Sequence, residues 1–305
     1  MKPIFHCGFS GGGVKISGLL GAAERIWDHH GNEINVVSGV SSGSIIAILW
    51  ATGQLFREDV RDTILKMTLK TFFKRPPVKP NGKFTTYALW QAITGAPALG
   101  DQSNLTKQLK KFITVRAWDE YVRNPGSPPV YVGCVDHVNG SRYYPNLKDY
   151  DRLKAFDLVQ ASSSIPVFTA PVHLGGRKLY DGGNRDHSPT AYMMAKFKNQ
   201  IEQNITVYTR PKEPCIEPLG QEEAQNMSWL ENFVRVVDVF NMETSKNDEF
   251  QENTFARKYK IKHDHIFLPS IMHSPYDVNH GRLYTLYKAG QVRAEDVLQK
   301  RNYKN

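Results

Sequence analysis

Two strand-to-helix passages crowd into the first 53 residues, and they restrict the fold more than any other feature of the chain. Residues 3–8 read as a strand, 10–13 as a glycine loop, and 14–29 as a helix on which Leu19, Leu20, Ala23 and Ile26 recur at helical spacing. A second strand at 35–38 runs through "GVSSG" into the apolar segment "SIIAILWATG". Parallel strands need a crossover, which a helix of this length supplies, so two such units in succession predict a parallel sheet covered by helices.

The second passage carries chemistry. Gly39, Ser41 and Gly43 spell G-x-S-x-G, the pattern in which a strand turns sharply into a helix and lifts a serine hydroxyl clear of the sheet. Residues without a Cβ must flank such a serine, because the helix starts almost on top of the strand end. A Ser/Gly-rich turn without chemistry has the same spelling, so the context matters. An acyl-transfer serine needs a base for its proton and donors for the oxyanion. Gly11, Gly12 and Gly13 end the first strand and open a helix, where backbone N–H groups and the helix dipole converge on an anion. Gly12 is expected to present its N–H from a backbone conformation that a Cβ would disfavour. A dinucleotide loop is the competing reading of these glycines, but G-x-G-x-x-G fails at Ile16, and no G-x-x-x-x-G-K-[ST] phosphate loop is present. For the base, "YDGGN" puts Asp181 at a strand end with Gly182 and Gly183 turning beneath it; the same letters also spell an ordinary turn.

Further strands are expected at 129–138, 175–180, 205–210 and 265–269, and helices at 105–113, from Thr190, and from Gly281 to the end. An amphipathic helix over 222–258 would carry Met227, Leu230, Val234, Val237 and Asn241 along one period. With no repeat, low-complexity block or linker, residues 1–305 are expected to form one domain. The net charge of +9 favours anionic partners. Nucleic acid is not expected, because no binding motif accompanies the charge. An anionic phospholipid surface suits the 66–83 segment, which has six basic residues, no acidic one, and Phe72 beside Phe73. The same run also reads as a solvated loop. No apolar run approaches ~18 residues and the N-terminal stretch lacks a signal-peptide core, so a soluble, cytoplasmic chain touching membranes peripherally is expected. Cys7, Cys134 and Cys215 suggest buried thiols rather than disulfides or a paired-cysteine metal site.

"GGGVK", "GVSSG", "ASSSIPVFTAPV" and "YDGG", taken in this order, resemble the motifs of patatin-like phospholipases, clearly over about the first 190 residues and in outline beyond. The resemblance implies an α/β fold, a three-layer αβα sandwich with a mainly parallel central sheet. It implies hydrolysis of fatty-acyl esters of phospholipids or lysophospholipids by a Ser-Asp dyad, without metal or cofactor. Position by position it makes Ser41 the nucleophile, Asp181 the base and Gly11, Gly12 and Gly13 the oxyanion loop. Lys15 then stands beside that loop, and Ser162, Ser163 and Pro166 shape the pocket wall. Two positions depart from the family pattern: Ile16 replaces a common glycine, and His187 stands where asparagine is usual. Two other readings stay open. One is an α/β-hydrolase triad using His265, His273 or His280, although that fold places its elbow after several strands. The other is a lipid- or anion-binding scaffold without catalysis.

Overall fold

The computed structural model describes residues 3–79, 83–213, 229–271 and 278–302. Cys215, Met227 and His273 lie outside the described residues, as does the 222–228 part of the expected amphipathic helix.

Strands β1 (Ile4–Phe9) and β2 (Val36–Val40) pair in parallel, Cys7 opposite Val37 and Phe9 opposite Gly39. β3 (Val130–Asp136) joins β2 in parallel, and β7 (Ile201–Tyr208) and β8 (Lys262–Phe267) extend the other side of β1. Three short strands, β4 (Ser141–Tyr143), β5 (Val172–Leu174) and β6 (Arg177–Asp181), then finish the sheet antiparallel at the β3 end. The order is β5-β6-β3-β2-β1-β7-β8, with β4 paired to β3. The mainly parallel sheet expected from the two opening units is therefore present, with an antiparallel margin that carries Asp181.

The helices are α1 (Ile16–His30), α2 (Ser42–Ala51), α3 (Glu58–Leu65), α4 (Leu69–Phe72), α5 (Thr86–Ile93) and α6 (Ser103–Phe112) in the first half. They continue with α7 (Val115–Arg123), α8 (Arg152–Ser162), α9 (Thr190–Phe197), α10 (Trp229–Tyr259) and α11 (His280–Asn302). Alternation along the strands sorts side chains between two faces. Val37 of β2 joins the larger core with Leu19 and Leu20 of α1, Ile46 and Trp50 of α2, Phe156 of α8 and Leu286 of α11. Val36 and Val40 face the other way, onto Met193 and Met194 of α9 and Ala256 of α10. Helices thus cover both faces, so the central strands are buried on both sides. Cys7 and Cys134 are buried and free, and burial pushes both thiols up, so they are inert packing groups.

Candidate active site

The elbow is where expected, at the end of β2. Ser41 has φ 52 and ψ −126, a left-handed conformation that a serine adopts only under constraint. The constraint is visible in its neighbours. A Cβ on Gly39 would stand 2.2 Å from the carbonyl oxygen of Gly43, and a Cβ on Gly43 would stand 2.2 Å from that of Phe9. Helix α2 can double back over β2 and nest against the end of β1 only because both positions are glycine. The Ser41 carbonyl is then capped by Ser44, whose N–H and hydroxyl both donate to it, at 2.9 and 2.6 Å.

The "ASSSIP" segment at the end of α8 supports the site in a way that its reading as pocket wall missed. Ser162 is fully buried; its hydroxyl accepts from the Ser41 N–H at 2.9 Å and donates to the Gly133 carbonyl of β3 at 2.6 Å. Two residues later, the Ser164 carbonyl accepts the N–H of Asp181 at 2.9 Å. The end of α8 therefore fixes the backbone of both Ser41 and Asp181. Ser163 turns back to the Val159 carbonyl of its own helix, and Pro166 is half-buried.

Asp181 ends β6, opposite Cys134 of β3. Gly182 is needed for close approach, since a Cβ there would meet the Gly133 carbonyl at 2.4 Å. Gly183 donates its N–H to Asp181 Oδ1 at 2.7 Å. Ser41 and Asp181 come together: they are 9% and 5% exposed, and the Ser41 hydroxyl lies near enough to the Asp181 carboxyl to favour its charged form. Burial pushes that carboxyl up to about 7, against the opposing pull of the Gly183 N–H and the Ser41 hydroxyl. An ordinary aspartate is too weak a base for a serine; one poised near neutrality is matched to the task.

The glycine loop lies against the serine. A Cβ on Gly11 would be 3.3 Å from the Cβ of Ser41. The loop is pinned to the end of β7: Ser10 N–H donates to the Val207 carbonyl at 3.0 Å, Thr209 N–H donates to Ser10 Oγ at 2.9 Å, and the Thr209 hydroxyl donates to the Gly11 carbonyl. The three glycines are not equivalent. Gly11 N–H is occupied, donating to the His187 carbonyl at 3.0 Å, whereas the N–H groups of Gly12 and Gly13 take no acceptor among the described residues. The expected reason for glycine at position 12 is corrected as well. Its φ of 164 is extended backbone open to any residue, and it is space that excludes a side chain, because a Cβ would come within 2.5 Å of Thr209 Oγ1. The left-handed residue is Gly13, at φ 56. Lys15 closes the short turn between loop and α1.

His187 lies beside the loop, its Nε2 3.9 Å from a Cβ placed on Gly11, and its buried Nδ1 has no hydrogen-bond partner among the described residues. Burial lowers its pKa to about 3, helped by the charges of Lys15 and Arg210, so the ring is neutral. Of the late histidines, His265 is engaged with Glu252 at 3.0 Å, and His280 is exposed at the start of α11.

A family model for patatin-like phospholipase matches residues 9–194, which span the glycine loop, the elbow, α8 and the β6 turn. The chain belongs to the patatin-like phospholipase family. Membership places it in a family of lipid hydrolases. An uncharacterized protein, R571, of Acanthamoeba polyphaga mimivirus is 22% identical over 213 residues, covering 68% of this chain; the chain spans 65% of that relative's length. Among solved structures, VipD of Legionella pneumophila superposes with a TM-score of 0.50 at 14% identity over 98% of this chain and 67% of that one, which bears on the patatin-like fold alone. Full-length ExoU of Pseudomonas aeruginosa, solved with SpcU, aligns over 85% of this chain and 53% of that one at 13% identity and a TM-score of 0.37.

Proposed function

We propose that this patatin-like protein hydrolyses fatty-acyl esters of phospholipids or lysophospholipids, with Ser41 as nucleophile and Asp181 as its base. The observation that carries the reading is the meeting of a strained elbow serine with a buried carboxyl raised to about 7. Ser41 Oγ attacks the ester carbonyl carbon as its proton passes to Asp181, and the N–H groups of Gly12 and Gly13 take the oxyanion. Collapse of that intermediate breaks the ester C–O bond, and the leaving alcohol takes the proton back from Asp181. Water, deprotonated by Asp181, then attacks the acyl-serine; collapse breaks the acyl–Oγ bond and releases the fatty acid as Asp181 returns the proton to Ser41 Oγ. Every proton is accounted for by one carboxyl.

The same reading extends to a membrane-facing surface, where the exposed groups differ from those the sequence suggested. Phe72 packs against the main core and Phe73 is half-buried. The apolar groups that do face solvent are on α5: Leu89, Trp90 and Ile93 are 49%, 59% and 85% exposed, and residues 84–100 contain no charge at all. Exposed Lys70 and Lys74 lie on the adjoining basic run, and the Arg75 guanidinium sits 4.6 Å over the Tyr87 ring at the start of α5. This surface adjoins the catalytic segment: Leu69 and Val78 pack on Phe168, and Leu99 N–H donates to the Val167 carbonyl at 2.9 Å, a few residues past Ser164. An uncharged apolar helix carrying Trp and rimmed by lysines suits the interface of an anionic bilayer. Among the described residues no helix is long and apolar enough to cross a membrane.

The test is mass-spectrometric comparison of phospholipid vesicles incubated with wild type and with Ser41→Ala. Release of fatty acid and the matching lysolipid by wild type alone supports the proposal. Equal release by both proteins, or none by either across diacyl and lysophospholipid substrates, refutes it.

A further inference from the structure

On the sheet face opposite the main core, β1, β7 and the edge strand β8 carry a run of polar side chains. His6 of β1 is paired in register with Asn204 of β7, Asn204 with His263 of β8, and Thr206 with His265. His263 and His265 are two residues apart on one strand and so stand on the same face. Helix α10 covers them with Glu252. His6, Asn204, Thr206 and Glu252 are fully buried. Burial of so many polar groups is costly unless each finds a partner, and the partners here converge on one point.

His263 Nε2 and His265 Nε2 lie 2.6 Å apart, and Glu252 Oε2 stands 3.0 Å from the second and 3.4 Å from the first. Each of the three can present a lone pair to the same spot. A proton placed there joins only two of them and leaves a third lone pair facing the others. The other oxygen of Glu252 is saturated: Oε1 accepts from the Ser188 hydroxyl at 2.7 Å and from the Tyr208 hydroxyl at 2.8 Å. The far ring nitrogen of His263 is held by the Asn204 amide at 2.6 Å, and the other end of that amide holds His6 at 2.5 Å. The two ends of an amide are interchangeable in shape, so Asn204 can accept the Nδ1 proton of His263 and leave its Nε2 lone pair free. Outer groups of this kind orient metal-binding histidines and carboxylates.

We propose that Glu252, His263 and His265 bind one divalent transition-metal ion of the zinc class, separate from the Ser41 site. Two imidazoles and a carboxylate form a donor set suited to that ion, with the fourth position left for water. Nitrogens bound at about 2.0–2.1 Å in a tetrahedron lie about 3.3 Å apart, so the His263–His265 gap opens by under about 1 Å on loading. The ion ties α10 to β8. Through Ser188, next to the His187 carbonyl that receives Gly11 N–H, it steadies the segment that backs the glycine loop.

The test uses the full chain, stripped with chelator, dialysed and titrated with cobalt(II) and then zinc(II). One cobalt per chain is expected, with the intense visible absorption of a four-coordinate site, bleached by stoichiometric zinc, and zinc alone should raise the unfolding temperature. His265→Ala and Glu252→Gln should each abolish the absorption, and Ser188→Ala should weaken binding by about 10- to 100-fold. Absence of both the absorption and the zinc-dependent shift in wild type overturns the proposal. So does uptake that is undiminished in both ligand variants, which would put the metal elsewhere. Neither result depends on ester hydrolysis.

Discussion

Replacing Asp181 by Asn should make the protein more stable and much less active, and the gain should depend on pH. The carboxyl is raised by burial from 3.8 to about 7, so the folded protein binds its proton more tightly than the unfolded chain does. Its contribution to stability is therefore complete below about pH 4 and is lost as pH rises through 7. Well above pH 7 the ionised buried carboxylate costs about 4 kcal/mol relative to its protonated form, whereas near pH 5 the same arithmetic gives about 1.5–2 kcal/mol. Asparagine keeps an acceptor for the Gly183 N–H and never ionises. The stability advantage of Asp181→Asn should thus be larger by about 2–3 kcal/mol at about pH 8 than at about pH 5. Urea unfolding of both proteins at the two pH values measures it, and the titration of Asp248, also raised by burial to about 8, cancels in the difference. A difference that does not change with pH, or a variant less stable at both, would refute the placement of a near-neutral carboxyl at this position. Activity should move oppositely, falling about 10²- to 10⁴-fold on loss of the base, while the wild-type rate rises with pH around 7.

Gly12→Ala forces a Cβ against Thr209 and should lower turnover by about 10²- to 10³-fold with little effect on KM, measured with a soluble ester; an unchanged turnover number moves the oxyanion donors elsewhere. Ser162→Ala strips partners from the Ser41 N–H and the Gly133 carbonyl, and should cost about 2–4 kcal/mol in chemical denaturation as well as lowering turnover; a neutral effect would mean that the clamp is dispensable. Trp90→Ser with Ile93→Ser should weaken binding to anionic vesicles at every salt concentration, and Lys70→Glu with Lys74→Glu should flatten its salt dependence, both sparing soluble-ester hydrolysis. Vesicle binding by both variants equal to wild type would remove α5 and its basic rim from the membrane surface.

The two turns that bring Ser41 and Asp181 together were legible because each rests on a short-range rule. Glycines around Ser41 mark a helix folded back on a strand, and Gly182 marks a strand end pressed on its neighbour, so the sequence pointed to both turns without knowing the sheet order. What it could not reveal depends on long-range register. Ser162 read as pocket wall and Ser164 was not singled out, since nothing local says that their oxygens meet the backbone of Ser41 and Asp181. Gly11 looked equal to Gly12 until the carbonyl of distant His187 was found on its N–H. Phe72 beside Phe73 looked like a membrane anchor, but tertiary packing takes Phe72 inward and leaves the uncharged α5 outside. Likewise His265 read as a late catalytic histidine. The H-x-H spacing of "KHDHI" was the available signal for a shared ligand face, but its acidic partner, Glu252, arrives from another element.

The most direct test of the account is to trap the nucleophile. Wild-type protein is treated with a fluorophosphonate probe, digested and mapped by mass spectrometry. The account predicts one adduct on the Ser41 peptide, formed faster as pH rises around 7 and abolished by Ser41→Ala and greatly slowed in Asp181→Asn. No adduct on folded wild-type protein that cleaves lipid, or an adduct on another serine that persists in Ser41→Ala, would contradict it.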